Sequence, residues 1–154
     1  MTAKLGMRQA GLYAAEAATI GGLGRRWRRV VEVQGYVDGL LGSAWFFERW
    51  PYLLRCTVER RGTGSRWSTS VPLDRDGPGG RATEGVILLA DGALTQPVAL
   101  HELAHLLLPP DAGHGPPFAD VLLELVRHEM GFFAHAELRR ALLQTPGFEG
   151  VGGG

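Results

Sequence analysis

The stretch HELAHLLLPPDAGHGPPF, His101 to Phe118, carries three of the chain's five histidines and decides how the rest is read. His101-Glu102-Leu103-Ala104-His105 is an H-E-x-x-H. On a helix, positions i and i+4 stack on one face, so both imidazoles can reach one ion, at about 2.0–2.1 Å for zinc. Glu102 is displaced about 100° around the axis, which puts its carboxylate beside such an ion rather than on it. From there it can take a proton from water that the ion has acidified toward a pKa of about 7. Leu100, Leu103 and Leu107 fall on other faces and can bury the helix.

A tetrahedral site with two histidines needs a third protein ligand and keeps a fourth position open. His114 follows His105 across Pro109-Pro110 and Gly113 and stands just before Gly115-Pro116. Those turn-forming residues suit a chain that reverses and presents a side chain back to the ion. His114 is therefore read as the third ligand. Its rival is Glu124, on the following helix, where the thermolysin-like zincins supply a glutamate. The longer metzincin pattern fails, because Leu108 stands where its glycine belongs and Asp111 and Ala112 occupy the region of its last histidine. With five His and ten Glu in the chain, H-E-x-x-H arises by chance about 0.01 times per sequence.

Outward from this segment, GVILLADG (Gly85 to Gly92) reads as a strand ended by Asp91-Gly92. Pro97 suits the first turn of the helix that carries Val98 to Leu107, and Pro109-Pro110 stops it. A next helix runs from about Pro116 to Gly131 with Phe118, Val121, Leu122, Leu125 and Val126 on one face, and a last one from about Phe133 to Gln144. Upstream, Arg8 to Ala18 predicts a helix, and Trp27 to Trp50 a second helical stretch interrupted by glycines. YLLRCTVERR and SRWSTSVPL alternate around Gly62-Thr63-Gly64 as a β-hairpin would, and DRDGPGGRATE reads as a loop. The expectation is one α+β domain over residues 1–154, with a flexible tail from about 147.

At 154 residues the chain can bury a core without metal or disulfide staples, so a metal here points to function rather than scaffolding. Sixteen basic residues balance sixteen acidic ones, which disfavours a nucleic-acid or anionic-membrane partner. Cys56 is the lone cysteine, so neither an intramolecular disulfide nor a cysteine-rich zinc ribbon is available. It reads as a small buried hydrophobe. Arg8 and Glu16 break the apolar N-terminal stretch, and no run approaches the roughly 18 apolar residues of a membrane span. A cytoplasmic, non-membrane protein is expected.

Other groups take plainer readings. His128 and His135 lie on later helices without a partner at metal spacing, and His128 can complement a helix dipole. Arg25 to Arg29 is basic around Trp27, as a nucleic-acid patch can be, but a solvated helix start with Trp27 turned inward is the commoner outcome. Trp45, Phe46, Phe47 and Trp50 read as core or cleft wall.

HELAH followed by HGPPF resembles the SprT-like zincins, in which H-E-x-x-H is joined by a histidine in an H-G-x-x-F segment, here His114, Gly115 and Phe118. Over more of its length the chain resembles a small actinobacterial family of metallohydrolases, with YAAE (Tyr13 to Glu16), LHELAH, HGPPFA and Met130-Gly131. The resemblance implies a zincin-like fold: a small, mostly antiparallel sheet packed on the H-E-x-x-H helix, with further helices. It also implies His101, His105 and His114 as Zn²⁺ ligands and Glu102 as general base, and favours His114 over Glu124.

The function expected is that of a zinc metallopeptidase acting on a peptide or protein substrate. The strand Gly85 to Ala90 is expected at the sheet edge, where an extended peptide could add. Two alternatives stand beside it: a non-catalytic, metal-stabilised DNA-associated or regulatory module, and a hydrolase of a non-peptide amide. For the oxyanion, Tyr36, Tyr52, Arg127 and His128 are all candidates.

Overall fold

The computed structural model describes residues 2–62 and 64–153. Thr63, which the pattern puts in a hairpin turn, lies outside the described residues, as do Met1 and Gly154. The elements are α1 (Thr2–Thr19), α2 (Val30–Leu41), α3 (Ala44–Arg49), β1 (Arg55–Arg60), β2 (Thr69–Pro72), β3 (Glu84–Leu89), α4 (Gln96–Leu106), α5 (Pro116–Met130) and α6 (Phe132–Leu143), with a 3-10 turn at Pro78–Gly80. The fold is α+β. The chain forms two compact units, residues 25–110 and residues 1–24 with 111–154.

Within 25–110, the helical stretch around Trp27 to Trp50 is two helices. α2 buries Val33, Val37 and Leu40 at helical spacing and stops at Gly42. Ser43 then caps α3, its hydroxyl accepting from the Phe46 N–H at 3.3 Å. Phe46 and Trp50 are core, whereas Phe47 is exposed.

The sheet is mixed, in the order β1-β3-β2. β1 runs parallel to β3, from Arg55 opposite Glu84 to Arg60 opposite Leu89. β2 runs antiparallel to β3, from Thr69 opposite Leu88 to Pro72 opposite Gly85. This corrects three expectations. β1 and β2 do not form a hairpin, the sheet is not mostly antiparallel, and β3 is the central strand rather than an edge. The cause lies in the segment between β1 and β2, which is too long for a two-residue turn and wraps the end of β3. Arg61 N–H donates to the Leu89 carbonyl at 2.9 Å, Ala90 N–H to Ser68 Oγ at 3.0 Å, and Gly64 N–H to Asp91 Oδ2 at 3.0 Å. β2 is thus the return leg that lets β1 and β3 run parallel. Because β3 is paired on both sides, no peptide can add to it.

The outer edge of β1 is closed as well. Gln34 of α2 donates from Nε2 to the Cys56 carbonyl at 2.9 Å and accepts at Oε1 from the Val58 N–H at 2.7 Å. On β3, Gly85, Ile87 and Leu89 alternate as buried positions. A Cβ on Gly85 would stand 2.7 Å from Leu106 Cδ2, so glycine is what lets α4 lie this close to the strand.

In the other unit, α6 packs against α1 and α5. α5 buries Phe118, Leu122, Leu125 and Val126 as its periodicity predicts, while Val121, expected on the same face, is half-buried and Leu123 is buried instead. Gly131, at φ +97°, ends α5 and starts α6 in a conformation that favours glycine. The segment from Gly147, expected to be flexible, is anchored instead. Phe148 and Val151 are buried, and Gly152 N–H donates to Asp120 Oδ1 at 2.8 Å. Its abundant glycines obscured two apolar anchors. Among the described residues, no helix is long and apolar enough to cross a membrane.

Candidate metal centre

α4 is fixed at both ends. Thr95 caps its start, the hydroxyl accepting from the Val98 N–H at 3.4 Å, and Pro97 sits in the first turn. At the other end, the Leu107 carbonyl, which has no partner inside the helix, accepts from the Tyr52 hydroxyl at 2.6 Å and from Arg81 Nε at 3.2 Å. Burial raises the Tyr52 phenol above its ordinary pKa, against the opposing effect of Arg81, which keeps the hydroxyl a donor.

This rigid helix places His101 and His105 side by side, with ring centroids 5.0 Å apart and planes at 69°. His101 is buried and His105 half-buried. Glu102 is only 5% exposed. Burying a carboxylate opposes folding unless it is partnered, and a helix built for packing alone would carry an apolar residue there.

His114 stands on the turn that opens α5. Gly113, at φ +59°, makes the left-handed turn, and Gly115 with Pro116 and Pro117 starts the helix. The imidazole packs edge-on against Phe118 at 5.3 Å between centroids and lies 5.5 Å from the Tyr13 ring. Phe118 is fully buried. The H-G-x-x-F spacing therefore has a physical content: four residues on, the phenyl ring holds the imidazole's orientation.

Tyr13 is a site neighbour that sequence reasoning missed, although it is quoted within YAAE. Tyr13 is half-buried, and Glu16, one turn on along α1, is buried. That i, i+3 polar pair on a helix otherwise rich in alanine was the available signal.

The four oxyanion candidates are placed as follows. The Tyr36 hydroxyl accepts from Gln96 Nε2 at 2.9 Å, and its ring stacks with Trp27 at 5.0 Å. Tyr52 is engaged at the end of α4. Arg127 is exposed in the last turn of α5, and His128 is exposed beside Glu129, Nδ1 to Oε2 2.8 Å. Cys56 is buried, as its strand position predicts.

Compared with known proteins, the chain matches no protein-family model, no curated protein and no solved structure.

Proposed function

We propose that this chain is a zinc-dependent metallopeptidase of zincin-like, SprT-like type, cytoplasmic and acting on a peptide or protein substrate. The observation that carries the reading is that His101, His105 and His114 each offer one ligand nitrogen, all within 4.8 Å of one another. Glu124 is not a member of that group. Three neutral imidazoles are a donor set that suits zinc, and they leave one coordination position for substrate or water.

Zinc in such a set supplies Lewis acidity, which acidifies water and polarises a carbonyl oxygen. The chain's own contribution is the base. Glu102, adjacent to the first ligand and held on a helix capped at both ends, accepts the proton of the attacking water and returns it to the leaving amine. The closed edge of β1 and the central position of β3 mean that neither offers a free strand edge to the substrate.

Elemental analysis of the purified protein, beside His114→Ala and Glu124→Ala, tests the ligand set. About one zinc per chain, lost in His114→Ala and kept in Glu124→Ala, is the expected result. Zinc retained in His114→Ala, or absent from the wild type, would overturn it. Release of fluorescent peptides from labelled casein then separates a peptidase from a metal-stabilised binding module. A non-peptide amidase would hold zinc and leave casein intact.

A further inference from the structure

A second site lies on α6 and owes nothing to the three histidines. A cleft of about 520 Å³ is lined by Phe132, His135, Arg139, Arg140, Leu143 and Gln144. That volume falls within the range of small-molecule sites. The spacing of these residues puts them on one face of α6, with an aromatic ring at one end, two guanidiniums in the middle and an amide at the other.

Arg139 is the informative member. It is half-buried, its Nε is shut away from solvent, and it makes no hydrogen bond or ion pair with any described residue. Its stem lies against the C-terminal segment, where a Cβ on Gly152 would stand 3.1 Å from Nε. A guanidinium N–H withdrawn from water with no acceptor among the described residues is costly to fold around, because buried donors are nearly always satisfied, while the terminal nitrogens of Arg139 stay open to a ligand. Arg140 beside it is neutralised by Glu137 at 3.0 Å, so Glu137 does not serve Arg139. Asp120 is near the same segment, but its Oδ1 accepts from the Gly152 N–H.

His135 adds a donor-acceptor group of fixed tautomer. Its Nδ1 is 3.0 Å from the Leu123 carbonyl, which can only accept, so the proton is on Nδ1 and Nε2 is the remaining nitrogen. Phe132 is 71% exposed, a flat apolar surface at the mouth with nothing covering it.

We propose that this cleft binds a small organic anion, a phosphate or carboxylate carried on a flat apolar body. Arg139 takes the anionic group through its planar fork of donors. Phe132 and Leu143 take the apolar body, and Gln144 with His135 supplies further polar contacts.

The test is titration of phenyl phosphate, benzoate and inorganic phosphate into the ¹⁵N-labelled full chain, followed by amide chemical shifts. Saturable shifts on residues 132–144 are expected with phenyl phosphate or benzoate, and whichever binds identifies the anionic group. Arg139→Gln should weaken binding by about tenfold or more, since a charge-assisted bidentate contact is lost. Phe132→Ala removes no buried side chain, so it should fold normally, and it should weaken the aromatic anions while leaving inorganic phosphate unchanged. Absence of saturable shifts with both aromatic anions overturns the proposal. So do equal affinities in Arg139→Gln, or shifts centred on α4 instead of α6.

Discussion

Glu102 differs from its neighbours in α4 in being a carboxylate kept where leucines would pack. That position makes a sharp separation of roles testable. Glu102→Gln preserves size and buried polarity but cannot accept a proton. Zinc content should match the wild type while casein hydrolysis falls by about 10²–10⁴-fold. Equal loss of zinc and activity would make Glu102 a positioning group instead. Cys56 gives a second prediction at this scale. Burial, with Asp38 adding to it, pushes the thiol up from 9.0 to about 12. A raised acid holds its proton more tightly in the folded state, so this contribution is whole below pH 9 and is lost as pH rises toward 12. Folded protein at pH 8 should therefore resist a thiol-specific reagent that modifies the denatured chain fully, and Cys56→Ala should flatten the alkaline fall in stability. The three histidines that the structure brings together were legible because H-E-x-x-H and the breaker-rich approach to His114 are local patterns. Tyr13 was not, since it joins His114 from far away in the chain.

Some helix ends were legible too, because their determinants are local: Pro97 opens α4, Pro109-Pro110 follow it, and Gly131 separates α5 from α6, whereas α1 begins at Thr2, ahead of the expected Arg8, and the stretch from Trp27 to Trp50 divides at Gly42 and Ser43. Strand pairing was not. The alternation within β1 and β2 identifies strands, but pairing depends on which edge a distant segment occupies, and β3 takes the place between them. Two strand spacings, about 9.6 Å, then separate β1 from β2, and Arg61, Gly64 and Ser68 between them are bonded at the end of β3. The close approach of α4 to β3 supplies the test of this packing. Gly85→Ala drives a methyl group into Leu106, which is buried and adjacent to His105. A loss of about 1–3 kcal/mol is expected for such overpacking, read as a lower denaturant midpoint, together with weaker zinc retention because α4 must move. An unchanged midpoint would mean that Leu106 has room to turn aside.

The whole molecule is electrically balanced, with 16 basic and 16 acidic residues and a sequence pI of about 7.0. No large net repulsion opposes its compact state. Each unit has apolar side chains removed from water, among them Phe46, Ile87 and Leu100 in residues 25–110 and Leu12, Phe118 and Phe148 in the other. A chain with cores of this kind should fold without its metal, unlike small zinc domains in which metal binding is the folding energy. Zinc that binds only the native state still adds stability, about 4 kcal/mol when free metal is a thousandfold above the dissociation constant. For a chain of this size, 1 kcal/mol corresponds to about 2–4 °C in melting temperature. Chelation should therefore lower the melting temperature by roughly 8–16 °C under those conditions, with far-UV circular dichroism at 20 °C unchanged. Collapse of the helical signal on chelation would make the metal a structural staple and weaken the case for catalysis. An unaltered melting temperature would show that the three histidines hold no metal in the folded protein.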